Sequence, residues 1–248
     1  MKKNLLQKTL YEINQQKQVA GYKTIECDDG FILLWNHPLL YYYSKAHCET
    51  VTEKNYVFFK ENFPFKTLSI AANHRSSLEN THPDLIFNGT SDTMLLEQKT
   101  LLPENSRFKI KPVKNKNDIK IFAQVASEVF NHPEVYNQLA ESLSVDINLK
   151  HCHKYIGYDN EEPAGIIELS EGKEAVFISW VAVRENFRRK GLCHTLLAHT
   201  INKEIKNNFT KFMLVSSTEG KIVYKLFGFQ DFALRYNYTL QCKKDKNG

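Results

Sequence analysis

The sequence predicts a mixed α/β (α+β) fold in two parts, a smaller N-terminal domain over residues 1–105 and a larger domain over residues 106–248. A length of 248 residues fits one large or two small domains, and 42% apolar residues are enough for a core. Helical and strand-like apolar periodicities alternate along the chain. Between two strand-like runs, Leu101–Arg107 places Pro103 among polar residues, which favours a boundary there.

The N-terminal part is expected to begin with a helix, because Leu5, Leu6, Leu10 and Ile13 recur at helical spacing. The following run predicts a β-hairpin, since Asp28-Asp29-Gly30 is a strong turn signal. The further predicted elements are a helix at Val51–Phe63 that Pro64 ends, and strands at Phe65–Ala72 and Thr93–Glu97. The aromatic run Leu39–Tyr43 favours core packing over the lining of a pocket.

The C-terminal part alternates strands and helices in a definite order. Asp118 is a candidate cap for the first helix, and Pro133 is placed to open the second. Asp159–Pro163 separates two apolar runs and suits a hairpin turn. The predicted order is a strand at 108–113, two helices, strands at 154–158, 164–169 and 175–183, a helix at 192–205, a strand at 212–216, a short helix at 219–227 and a strand at 229–240.

The most informative stretch is Arg188-Arg189-Lys190-Gly191, here called the basic turn, which joins the apolar strand ending at Val183 to the next helix. The first amides of a helix have no internal partners and lie at the positive end of its dipole. Gly191 carries no Cβ to obstruct an approaching ligand. The sequence therefore predicts an anion site at this turn, of the kind that holds a diphosphate.

Composition narrows the function classes. No apolar run approaches the roughly 18 residues of a membrane helix, and the N-terminus lacks the apolar segment of a secretory signal, so no membrane partner is expected. Five scattered cysteines without a CxxC pair predict free thiols and a cytoplasmic location. Residues 107–248 hold 22 Lys/Arg against 16 Asp/Glu, but no basic helix face interleaved with aromatics, so nucleic acid is not an expected partner.

Two motifs, together with the order of elements, resemble the GNAT acyltransferase superfamily. Arg188–Cys193 resembles the family's R/Q-x-x-G-x-G/A turn, with Cys193 where glycine or alanine is usual, and Tyr224–Phe229 resembles a second family segment. The resemblance covers residues 108–240 and implies a twisted, mainly antiparallel mixed sheet flanked by helices. Residues 78–97 also resemble the closing helix and strand of a GNAT-like unit. The N-terminal part is therefore either a degenerate GNAT-like unit or an unrelated α/β cap.

The resemblance implies an N-acetyltransferase that passes an acetyl group from acetyl-CoA directly to an amine in a ternary complex, without a metal. It places Tyr224 where many members carry the acid that protonates the leaving thiolate. A small amine or amino-acid-like acceptor is the first choice and a protein amine the second. The residues implied in cofactor binding are Val181, Ala182, Val183, Arg188, Arg189, Lys190, Gly191, Leu192, Cys193, His194, Ser217 and Tyr224.

The sequence does not identify the general base. Ser179 stands where family members often carry a carboxylate, and Glu168 on the preceding strand is the alternative, facing either the substrate groove or solvent. Ser179 also keeps open a second function class, an acyl-CoA sensor without catalysis. His151 and His153 share a strand face, but no third ligand stands at a recognised metal spacing, so no metal is predicted.

Overall fold

The computed structural model describes residues 5–18, 22–35, 44–63, 67–131 and 136–242. The chain divides into two compact units, neither of them contiguous. The first contains residues 1–94, 215–225 and 230–248, and the second contains residues 95–214 and 226–229. These units differ from contiguous domains 1–105 and 106–248, because the last strand pairs with a strand of the N-terminal half. As a division of the sequence into folding domains, the boundary at residue 105 remains a prediction.

The first unit is a mixed sheet with helices. Its helices are α1 (Leu5–Lys17), α2 (Glu53–Asn62) and most of α6 (Thr218–Phe227). Its strands are β1 (Tyr22–Cys27), β2 (Gly30–Trp35), β3 (Lys45–Cys48), β4 (Thr67–Ala72), β5 (Leu85–Glu97, whose last three residues fall in the second unit) and β11 (Gln230–Gln241). They lie in the order β1-β2-β3-β4-β11-β5, and of the pairings from β1 to β11 only β3–β4 is parallel.

The second unit contains the antiparallel series predicted from the sequence. Its elements are β6 (Phe108–Pro112), α3 (Lys116–Val129), α4 (Tyr136–Asp146), β7 (Cys152–Asp159), β8 (Glu162–Glu171), β9 (Val176–Val183), α5 (Leu192–Lys206) and most of β10 (Lys211–Ser216). Strands β6 to β9 pair antiparallel in sequence order, and β10 pairs parallel to β9. The expected mixed, mainly antiparallel fold with flanking helices is confirmed.

Local details correct several expectations. Asn115 caps α3, since its side chain accepts hydrogen bonds from the amides of Asn117 and Asp118. Asp118 instead accepts from the amide of Lys114 at 2.8 Å. The expected helix near residue 78 is only a 3₁₀ turn at Ser77–Asn80, and β5 already begins at Leu85. The predictions for Leu39–Tyr43, Pro64 and Pro133 lie outside the described residues.

Helix α5 sits close against the sheet of the second unit. A Cβ built on Gly157 of β7 would lie 2.8 Å from a methyl carbon of Leu192 and 3.1 Å from one of Leu196, so a side chain there would have to displace these leucines. Leu196, Leu197 and Ile201 are fully buried. The packing holds the first turn of α5, and with it the basic turn, in a fixed position beside β7 and β8. Among the residues described, no helix is long and apolar enough to cross a bilayer.

Candidate functional site

Strand β9 is irregular where it approaches the basic turn. It pairs parallel with β10 from Val176 to Ile178, and among the described residues the pairing does not continue beyond Ile178. Its antiparallel register with β8 shifts between Ile166 and Glu168. Trp180 has a φ of 52°, which is uncommon for a residue other than glycine and typical of a bulge. The segment after Ile178, which includes Val181, Ala182 and Val183, thus contains a bulge in its pairing with β8 and, in the described chain, is no longer paired with β10.

The basic turn reaches α5 through left-handed backbone. Arg189 has a φ of 60° and Gly191, the N-cap residue of α5, has a φ of 90°. A Cβ at residue 191 would meet no atom nearer than 3.9 Å, so available space does not dictate the glycine. The backbone conformation does, because a side chain is strained at this φ.

Three backbone amides at the start of α5 have no acceptor within the described part of the chain. The first bond of the helix runs from the Thr195 amide to the Gly191 carbonyl at 3.0 Å. For the N–H groups of Leu192, Cys193 and His194, no acceptor is found anywhere in the described chain. Unpaired amides at a helix N-terminus attract anions.

Three positive side chains belong to the basic turn that leads into these amides. Arg188, Arg189 and Lys190 are all exposed, and none has a carboxylate partner in the part of the chain described. The Arg188 Nε donates to the Val183 carbonyl at 3.1 Å. The Lys190 ammonium lies 5.1 Å from the centre of the Phe187 ring. The turn therefore combines directed N–H donors with three uncompensated charges.

The two residues that follow Leu192 fit this arrangement. Cys193 continues the helix without disrupting it, and burial raises the pKa of its thiol to about 11, so the thiol is protonated at neutral pH. His194 is exposed, and its ring lies 4.8 Å from that of Phe227. Its exposure is compatible with a phosphate contact and with a plain surface position, so the cofactor contact expected of it stays a prediction.

Glu168 is buried rather than solvent-exposed. It is 4% exposed, and its carboxylate lies 3.1 Å from the ammonium of Lys154, which is equally buried. The Ser179 hydroxyl donates to the other carboxylate oxygen at 3.3 Å. Lys154 was not predicted as a partner, although it lies directly opposite Glu168 in the register of β7 and β8. The sequence contains a signal for this pair, because each of the two neighbouring apolar strands predicted at 154–158 and 164–169 carries a single charge, one a lysine and the other a glutamate.

Tyr224 and Ser217 belong to the first unit, whereas Leu226–Phe229 of the second motif belong to the second unit. Tyr224 is 9% exposed on α6. Ser217 precedes this helix, and its hydroxyl accepts a hydrogen bond from the Gly220 amide at 3.1 Å. Ser217 therefore caps α6, which gives it a structural role; the cofactor contact expected of it stays a prediction.

Two acidic residues near His151 and His153, Glu171 and Glu204, were not predicted from the sequence. Both rings lie 2.9 Å from carboxylate oxygens of Glu171 on β8. Glu204 on α5 joins them, and ligand atoms of His153, Glu171 and Glu204 all lie within 4.8 Å of one another. Burial raises the pKa of Glu204; the same effect on Glu171 is outweighed by its hydrogen bonds to the two histidines, which bring its pKa below the usual range. The expectation that no metal binds therefore stays a prediction.

A groove of about 550 Å³ lies beside the basic turn. Its charged lining residues are Glu128, Glu162, Arg184, Glu185 and Arg188. Arg184 is already bound there, because its Nε lies 2.8 Å from the Glu128 carboxylate. The groove does not include the unpaired amides of α5, so it is not the anion site.

Comparison with known proteins identifies the family. A family model described as an acetyltransferase (GNAT) domain matches residues 112–237, about half of the chain. No curated protein matches the sequence.

Solved structures match the fold across both halves of the chain. A conserved protein of unknown function from Staphylococcus epidermidis is 18% identical, with a TM-score of 0.69 over 89% of this chain and 94% of that one. A GCN5-related N-acetyltransferase from Kribbella flavida is 12% identical, with a TM-score of 0.67 over 95% of both chains. A tandem GNAT protein from the clavulanic acid biosynthesis pathway is 7% identical, with a TM-score of 0.58 over 88% of this chain and 80% of that one. These identities establish the fold alone. Together with the family match, they show that the chain belongs to the GNAT acetyltransferase family, and that its N-terminal half is also covered by GNAT-like structures.

Proposed function

We propose that this protein is an N-acetyltransferase that transfers an acetyl group from acetyl-CoA directly to an amine in a ternary complex. Family membership makes the protein an acyltransferase; the donor, the acceptor class and the direct transfer are the proposal. The observation that carries it is the set of amides at Leu192, Cys193 and His194 that directly follows the basic turn and has no acceptor among the described residues.

The basic turn fits the diphosphate of CoA in charge and geometry. A diphosphate presents several acceptor oxygens and negative charges in one compact group. The three N–H groups would donate to those oxygens, and Arg188, Arg189 and Lys190 would offset the charge. The residues Val181, Ala182 and Val183 of β9 would pair with the pantetheine arm, in the segment where the recorded ladder with β10 has ended. Ser217 is proposed as a further contact from its motif position alone.

Acetyl-CoA would supply an acetyl group activated as a thioester. The protein must then take a proton from the acceptor amine, donate a hydrogen bond to the carbonyl oxygen as it gains charge, and protonate the departing thiolate. We assign the last step to Tyr224, because a phenol with a pKa of about 10 is protonated at neutral pH and matches a thiolate in basicity. This assignment rests on the Tyr224–Phe229 motif.

Glu168 is proposed to accept the amine proton through Ser179. Ser179 stands where family members often carry a carboxylate, and its hydroxyl already donates to Glu168. A hydroxyl that gives its proton to a carboxylate while accepting one from an amine forms a two-step relay. Ser179→Ala would remove the relay and leave the Lys154–Glu168 pair in place.

The decisive experiment measures binding and turnover separately. Calorimetry would give the affinity for acetyl-CoA, and free-thiol release would report transfer to a panel of small amines, amino acids and peptides. Tyr224→Phe is expected to lower kcat about 10²-fold while the Kd for acetyl-CoA changes less than about twofold. Tyr236→Phe, a partly buried tyrosine of the same unit, is the control and should leave both values unchanged. Equal kcat values for wild type and Tyr224→Phe would remove Tyr224 from the mechanism.

A second candidate function is supported by Ser179 itself. Without a carboxylate on β9, the protein would bind acyl-CoA as a sensor and transfer nothing. Tight binding without thiol release across the whole panel would establish this alternative. The five free thiols favour a cytoplasmic location for either function.

A further inference from the structure

Three basic side chains meet on one face of the sheet in the first unit. Lys45 and His47 alternate on β3 and so share a face. Ala71 of β4 is paired with His47 on one side and with Asn237 of β11 on the other, which puts Arg235, two residues before Asn237, on that face as well. An Arg235 guanidinium nitrogen lies 2.7 Å from the His47 Nδ1. Arg235 and His47 are 4% and 3% exposed, and Lys45 is partly exposed.

Among the described residues, no opposite charge compensates this group. The neutral ring of His47 is the hydrogen-bond partner of Arg235, and no carboxylate of the described residues lies within ion-pair distance of Arg235 or Lys45. Burial lowers the pKa of Arg235 to about 10 and, with the charge of Arg235, the pKa of Lys45 to about 8. Burial and both cations hold the pKa of His47 well below its usual range. An isolated buried cation is costly, and a bound anion would offset that cost.

The side chains that β4 places between the three basic groups are small. On this face β4 presents Ser69 and Ala71, both small, between β3 and β11. His47 is fixed from its other side by Phe31, whose ring is stacked on it at 5.2 Å. Because the His47 Nδ1 accepts from Arg235, the ring proton is on Nε2, which is a free donor direction for a ligand.

We propose that Lys45, His47 and Arg235 form a binding site for a small anion with a carboxylate or phosphate group. The Lys45 ammonium, the remaining guanidinium N–H groups and the His47 ring N–H donate to its oxygens, and charge-assisted bonds of this kind are the strong ones. The partial exposure of Lys45 provides the route of entry. The site is built from first-unit residues and does not depend on the acetyltransferase proposal.

The test is anion binding to the whole protein at constant ionic strength. Inorganic phosphate, sulfate, acetate and citrate are titrated into protein in chloride buffer, and the unfolding temperature and the calorimetric Kd are measured. We expect a saturable response to at least one of these anions, and the ranking of the oxyanions against the carboxylates identifies the ligand source. A wild type with no saturable response to any of them overturns the proposal.

Charge variants locate the response. Arg235→Gln and Lys45→Gln are expected to weaken binding at least about tenfold. Arg75→Gln, which removes an exposed arginine paired with Glu79 in the same unit, should keep wild-type affinity. Arg188→Gln removes a charge of the basic turn, so a response that this variant weakens is assigned to that turn and not to the Lys45–His47–Arg235 site. The proposal fails if Lys45→Gln and Arg235→Gln respond like wild type, or if Arg188→Gln alone abolishes the response.

Discussion

The two units handle buried charge in opposite ways. In the second unit, buried Lys154 faces buried Glu168 at 3.1 Å, so each charge has its counter-charge on the neighbouring strand. In the first unit, buried Arg235 and partly buried Lys45 lie around a neutral histidine with no carboxylate near them in the described chain. The first arrangement is closed and stabilised internally. The second is stable only if the rest of the unit offsets its cost or a ligand supplies the missing charge.

The difference has a simple physical basis. A buried ion pair exchanges hydration for mutual attraction, and breaking it leaves one charge without compensation. A buried cation with no partner already carries that cost. Removing a charge should therefore have opposite signs in the two units, which makes the comparison testable by stability measurements alone.

The largest effect is expected for Glu168→Gln. This change leaves the Lys154 ammonium buried without its counter-charge, and the free energy of unfolding should fall by about 3–5 kcal/mol. Urea denaturation measures it. The double variant Lys154→Met/Glu168→Leu removes both charges and should lose less than the single variant. If the single variant loses no more unfolding free energy than the double variant, Lys154 and Glu168 do not compensate each other.

The change in stability should have the opposite sign for Arg235→Met in chloride buffer without phosphate, sulfate or carboxylates. Removing a buried cation that has no counter-charge should raise the free energy of unfolding by about 1–3 kcal/mol. Arg75→Met is the control: Arg75 is 61% exposed, and loss of its pair with Glu79 should change stability by about 0–1 kcal/mol. A loss for Arg235→Met as large as that for Glu168→Gln would show that the first unit compensates its cations internally.

The smallest effect is the pH dependence that Lys45 contributes. Its pKa in the folded protein is about 8, below the 10.5 of an exposed lysine, with burial and Arg235 as the causes. Between these values the unfolded chain binds more protons than the folded one, so stability rises with pH. After allowance for the partial exposure of Lys45, we expect a gain of about 1–2 kcal/mol from pH 7 to pH 10. Lys45→Met should remove this rise in the free energy of unfolding. A variant whose stability changes with pH as that of the wild type does would contradict the role of Lys45.

Much of the second unit could be predicted from the sequence because its signals are local. The strand run to Val183, the basic turn and the apolar positions of α5 lie next to one another, so periodicity and turn chemistry were enough to predict them. The helix start at Asn115 was missed because Asp118 is an equally good capping residue by type. Its carboxylate instead bonds the amide of Lys114.

The pairing of the charged side chains could not be predicted from the sequence in the same way. Glu168 was singled out as a lone charge in an apolar strand, but its partner became visible only when the register placed Lys154 opposite it. Glu204 joins His153 and Glu171 from a helix that is distant in sequence. Arg235 and His47 meet because β11 returns to pair with β4. No periodicity in one segment encodes contacts of this kind.

The sequence by itself determined the family, the order of the elements in the C-terminal half and the basic turn, because each depends on residues that are neighbours along the chain. Only the tertiary structure decided which buried charges are compensated. Compensation depends on strand register and on the return of the final strand to the first unit, and these are set by packing between segments far apart in sequence.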